Sequence, residues 1–203
     1  MTHEHLSGDH GRVGVLLVSG SVLVGAGSAS AGDVAGSCDL TADPVSCPRA
    51  VLTGQDLRPY DLTGANLRYA IMSAVANHRG VMAPADLYAV NLVEARMRRV
   101  DLRSANLRDA NLSIADLTGA NLSRANLTGV EMPGVELAGA NLAGANLTRA
   151  FVDDGNLSRA NLSGANLTGA ILTGANLTGA NLTGVIWSDA VCPNGDLGPY
   201  PCE

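Results

Sequence analysis

Residues 164–185 read GANLTGAILTGANLTGANLTGV, almost one phrase repeated in steps of five. On an α-helix five residues turn a side chain by about 140°, which would scatter the Leu residues around the axis. On a straight strand side chains alternate with period two, so an odd repeat would send successive Leu residues to opposite faces. The pattern becomes consistent if each five-residue unit is a short extended piece followed by a corner. Ala and Leu, two apart, then point the same way, and the Thr-Gly or Ser-Gly that follows supplies turn chemistry. Such a chain coils around its own Leu column.

The pattern extends far beyond the quoted stretch. From Leu52 to Trp187 the positions whose numbers end in 2 or 7 are mostly Leu, and Met72, Met82, Met97, Met132, Val152 and Trp187 occupy all but one of the others. Asn77 is the polar exception. Two residues earlier in each unit stands Ala as a rule and Val in most of the remaining cases, so the period keeps its phase from end to end. Three stretches depart from it. MSAVANHRGVMAP puts Asn77 in a Leu slot and Gly80 in an Ala slot, and is expected to form an irregular side in phase, the alternative being a protruding loop. Pro133 follows the inward Met132, which a corner tolerates, and Phe151 stands in an outward slot beside Asp153 and Asp154.

The A-N-L-T-G and A-D-L-T-G units of residues 50–190 resemble the pentapeptide repeat proteins. That resemblance implies an all-β fold, a right-handed quadrilateral β-helix with four pentads per coil and with Leu and Ala inward. At a strand spacing of about 4.8 Å, about seven coils would make a rod roughly 34 Å tall. Coils of a solenoid are stabilised chiefly by their neighbours, so the ends are the weak points.

The flanks are written differently. In residues 1–31 a polar start leads into an apolar run, about Val13 to Ala26, and then into SASAGD, where Ala29 and Ala31 form a small-x-small cleavage pattern. The run is shorter than the roughly 20 residues of a membrane-spanning helix. A signal peptide cut near Ala31 is therefore expected, although its leading segment, with one Arg, two acids and His3, His5 and His10, lacks the usual positive charge. Residues 32–49 form an N-terminal cap segment and residues 191–203 a C-terminal cap loop. Cys38 and Cys47 precede the repeats, and Cys192 and Cys202 follow them. An even cysteine count in an exported chain favours disulfides, and the spacing does not suit zinc, so pairing within each end is expected. Trp187 closes the last coil, where an uncovered end would be a template for self-association and leaves a homodimer open. The capped ending resembles those of exported bacterial members of the family.

Composition removes several kinds of chemistry. All 13 basic residues are Arg, which excludes Lys nucleophiles, Schiff bases and the phosphate-binding loop Lys. His78 is the one His beyond the leading segment, and no nucleophile motif surrounds any Ser. Asp56, Asp61, Asp86, Asp101 and Asp116 stand where other units have Asn and read as Asn substitutes rather than catalytic carboxylates. The nine NLS and NLT triplets are products of the repeat, not glycosylation signals. No enzyme activity, cofactor or metal is expected.

Two functions remain. The first is an exported, non-catalytic scaffold or binding module of the cell envelope or exterior, with a protein or an acidic surface polymer as partner. The second comes from the family resemblance, which includes quinolone-resistance proteins that imitate duplex DNA and bind DNA gyrase. Duplex DNA of about 34 Å carries roughly 20 negative charges of one sign. This chain has a net charge of −6 with Arg among its acids, and export would separate it from gyrase. Direct nucleic-acid binding is not expected. Residues twenty apart should stack on one side, so Arg58, His78, Arg98 and Thr118 are expected in one column. Arg58 and Arg98, with Arg79, Arg96 and Arg99, would form a candidate anion-binding patch.

Overall fold

In the computed structural model, residues 15–18, 21–24, 42, 45–50, 65–68, 70–71, 86–197 and 202 are described. Near the N-terminus, inside the apolar run, β1 (Val15–Val18) pairs antiparallel with β2 (Ser21–Val24), Val15 opposite Val24 and Val18 opposite Ser21. Among the described residues no helix is long and apolar enough to cross a membrane. The expected cleavage site lies outside the described residues.

From Asp86 onward the chain is a coil whose parallel bridges join every fourth pentad: Asp86 to Asn106, Asn106 to Asn126, and on to Ile186. The coil therefore has four sides. Side 1 carries residues 86, 106, 126, 146, 166 and 186; side 2 carries 91, 111, 131, 151, 171 and 191. Side 3 runs from 96 to 176, and side 4 from 101 to 181. Pentads with a coil above and below repeat one set of backbone bonds. Leu142 N–H donates to Asn161 O at 2.7 Å and Gly144 N–H to Ser163 O at 2.9 Å, both toward the next coil. Asn141 N–H donates to Ala120 O of the previous coil at 2.9 Å. Ala145 N–H closes the corner onto Leu142 O at 3.0 Å. That i to i+3 bond, with positive φ at the third corner residue, is a type II turn. Pro48 and Pro133 occupy its second position, where the fixed φ of proline fits and no N–H is required.

Leu and Ala fill the interior. Leu102 to Leu172, with Met97, Met132 and Val152 in the same slots, are buried, as are the Ala and Val two residues before them. At about 1.5–3 kcal/mol for each large side chain, this column is the principal stabilising element.

The four-pentad register does not hold through the whole chain. Asn66 bridges Asn91 and Ile71 bridges Arg96, each five pentads apart, whereas Ser46 to Asn66 and Asp86 to Asn106 are four pentads apart. One coil thus holds a pentad more than the others, and the excess lies between Ile71 and Asp86, in the stretch containing Asn77 and Gly80. The inward phase survives because the excess is one whole pentad.

The two ends differ. Cys192 and Cys202 form a disulfide with Cα atoms 5.3 Å apart, inside the limit of about 7 Å for such a bridge. Cys47 is also disulfide-bonded and buried, while Cys38, its expected partner, lies outside the described residues. At the C-terminal end Val191 pairs antiparallel with Leu197, and Cys192 N–H donates to Asp196 O at 2.8 Å, so the cap closes side 2. Trp187 is buried. On sides 3 and 4 the cap does less than expected: Leu177, Ala180, Leu182 and Val185 are only partly buried. The bonds that Leu157 and Leu162 donate upward have no counterpart at Leu177 and Leu182 among the described residues.

Candidate functional site

With inward slots committed to the core and corners to turns, recognition falls to the outward columns. The residue before each Leu occupies the middle of a side, and in most pentads it is Asn. Its Oδ1 accepts the N–H two residues on, as in Ser123 N to Asn121 at 3.2 Å and Thr168 N to Asn166 at 3.0 Å. Its Nδ2 reaches the neighbouring coil: on side 4, Asn141, Asn161 and Asn181 each donate to the Asn beneath, at 3.4, 3.3 and 3.1 Å. Sequence reasoning gave Asn no such role, although a short polar side chain recurring in every coil is the signal for it. Asp86, Asp101 and Asp116 accept the same N–H, from Tyr88, Arg103 and Thr118, as expected of Asn substitutes. Asp56 and Asp61 lie outside the described residues.

The expected Arg column falls only in part on described residues. Arg96, Arg98 and Arg99 share one pentad of side 3, and Thr118 does lie above Arg98, its carbonyl accepting the Arg99 N–H at 3.0 Å. The coil beneath Arg96 starts at Ile71, five pentads back rather than four. Arg58, His78 and Arg79 are outside the described residues. Arg98 lies 3.6 Å from Asp116 in a largely exposed pair, so part of the local positive charge is already neutralised.

Charge is distributed unevenly along the coil. The ion pairs within the described residues are Arg98–Asp116, Arg103–Asp101 and Arg108–Asp109, all toward the N-terminal half. Asp101, only 5% exposed, receives Arg103 Nε on both oxygens, at 2.9 and 3.1 Å. That hydrogen bond, and then the charge of Asp101, raise the guanidinium pKa above its ordinary value.

Side 2 breaks the Asn pattern. Asn111 donates to Glu131 at 3.2 Å, and above Glu131 the column continues as Phe151, Ile171, Val191 and Leu197, each bridged to the next. Phe151 is 37% and Leu197 73% exposed. Phe151 is therefore both stacked against its coil neighbours and open to solvent. Among the described residues no group of three or more His, Cys, Asp or Glu side chains is placed to hold a metal ion.

The sequence pattern of the family described as Pentapeptide repeats matches residues 85–119, 120–159 and 154–186 with 8 copies, about half of the chain. A search of curated proteins found no match. Among solved structures, a trypsin-treated form of QnrB1, a plasmid-mediated fluoroquinolone resistance protein, is similar at 21% identity and TM-score 0.51, over 72% of this chain and 74% of that one. HetL, a pentapeptide repeat protein involved in heterocyst differentiation regulation from Nostoc sp. strain PCC 7120, is 27% identical over 75% of this chain and 91% of its own, with TM-score 0.22. The pentapeptide repeat protein alr5209 from Nostoc PCC 7120 is 32% identical over 51% of this chain and 78% of its own, with TM-score 0.32. At so low an identity the likeness to QnrB1 concerns the fold alone. The pentads, their four-sided coil and the matched family pattern lead to one conclusion: the chain belongs to the pentapeptide repeat family.

Proposed function

We propose that this chain is an exported, non-catalytic scaffold built on a right-handed coil of about seven turns, and that it binds a protein partner through an outward column. The observation that carries the reading is the replacement of the side 2 Asn ladder by Phe151, Ile171 and Val191. Asn in that slot satisfies its own coil, whereas exposed apolar side chains there contribute nothing to the ladder. An exposed apolar column of this kind is a mark of an interaction surface. The small-x-small pattern at Ala29 and Ala31 and the Cys192–Cys202 bridge favour an oxidising compartment outside the cytosol. An acidic polymer is the weaker partner, because Asp116 partners Arg98. Mass spectrometry of the protein from fractionated native cells is expected to find an exported form beginning near Gly32. A full-length cytoplasmic species overturns the export reading.

The second reading, a DNA-mimicking gyrase binder, draws on the fold shared with QnrB1. The Arg–Asp pairs of sides 1, 3 and 4 work against it, since DNA presents charge of one sign. Protection of purified gyrase from a fluoroquinolone by this chain would establish it in place of the first.

A further inference from the structure

We infer that the C-terminal half of side 2 is a docking face for a short apolar protein segment flanked by Lys or Arg. This deepens the scaffold reading and rests on it for the existence of a partner. The column Phe151, Ile171, Val191 and Leu197 is continuous through its bridges. At about 4.8 Å per coil its three steps span about 14 Å, the length of about four extended residues.

The surroundings of this column select the occupant. Glu131 lies directly beneath Phe151, Asp153 and Asp154 follow it in the same pentad, Asp189 holds the corner before Val191, and Asp196 sits in the cap strand. Among the described residues none of these acids forms an ion pair with an Arg, unlike Asp101, Asp109 and Asp116 of the N-terminal half. Arg149, at the corner before Phe151, is the single basic residue among them. An apolar strip with unpaired carboxylates on its flanks favours apolar side chains bracketed by cations and disfavours an acidic partner. A second copy would bring the same acids to the same strip.

The chain contains a single Phe, so biosynthetic incorporation of 4-fluorophenylalanine places one fluorine reporter at position 151. The intact protein would be titrated with the peptide Lys-Lys-Val-Leu-Val-Leu-Lys-Lys and, separately, with Glu-Glu-Val-Leu-Val-Leu-Glu-Glu, following the fluorine resonance. The basic peptide is expected to give a saturable shift that weakens as salt rises, and the acidic one none. Ile171→Asn should weaken the affinity about tenfold, roughly the loss of one apolar anchor. Asn166, Asn176 and Asn181 hold this slot on the other sides of the same coil, so the coil is expected to stay folded. The double variant Asp154→Asn, Asp189→Asn, both corner positions that accept Asn, should weaken basic-peptide binding independently. No shift with the basic peptide, equal response to both peptides, or binding unaltered by either variant overturns the proposal. A concentration-dependent shift without peptide assigns the face to a second copy and also overturns it. Finding the native protein uncleaved in the cytoplasm would sink the export reading and leave this binding untouched.

Discussion

Ile114 holds a corner with φ of 59°, a region that costs an ordinary L-residue about 1–2 kcal/mol and suits a β-branched side chain least. It is 62% exposed, so little burial offsets that cost. Ile114→Gly should therefore raise stability by about 0.5–1 kcal/mol in urea melts, after allowing for the extra freedom of glycine in the unfolded chain. An unchanged or lower midpoint would contradict the strain. Many of the described corners carry a residue other than glycine, and their side chains extend toward the corner of the next coil. Arg99 lies beneath Gly119, Arg149 beneath Gly169, Arg159 beneath Gly179 and Asp154 beneath Gly174. At Gly174 glycine supplies room as well as φ, whereas a Cβ at Gly119, Gly169 or Gly179 would make an ordinary contact. A Cβ at Gly174 would collide with Asp154, whereas at Gly164 nothing lies within 4 Å. Gly174→Ala should accordingly destabilise more than Gly164→Ala, and Asp154→Gly should remove the difference. Equal effects in thermal melts would leave φ as the sole cause. The turn chemistry of Thr-Gly was legible in the sequence. The second role of glycine was not, because it depends on which residue lies one coil below.

At the scale of the pentad, the sequence assigns Leu to the interior and the structure buries it. Leu142→Asp places a charge among apolar neighbours and should cost several kcal/mol, while Thr148→Asp, in an outward slot, should cost less than about 0.5 kcal/mol. Comparable losses in the two melts would mean that the slots are misassigned. The Asp101–Arg103 pair gives a more specific test, because the acid is almost wholly covered and the base is its counter-charge. Arg103→Gln should lower the melting midpoint by stranding Asp101, whereas Asp101→Asn restores the usual residue of the slot and should be nearly neutral. If the two variants melt alike, the pair has no structural weight. The period of five made the inward slots readable from letters alone. Stacking on the outer surface is not readable across the first irregular stretch, since letters alone do not show that the step from Ile71 to Arg96 takes five pentads.

Over the whole molecule, internal pairing of charge toward the N-terminal half leaves the C-terminal half with unpaired carboxylates, an exposed apolar column and a partly covered end. The cap strand is tied by Cys192–Cys202, so reduction should loosen the cover of side 2 and increase self-association in light scattering. Scattering that stays flat after reduction would mean that the bridge does not guard that edge. The oversized coil has a further consequence, for how a chain of this kind can change length. Because its surplus is confined between Ile71 and Asp86, Asn66 still lies on the same side as Asn91, and the columns above and below run straight on. Had one added pentad been passed along the rod, every earlier unit would have been displaced by a quarter turn and each outward column cut in two. Length in this architecture therefore comes in two denominations: blocks of twenty, which leave the surface drawing intact anywhere, and single fives, which do so only where one coil can take up the slack.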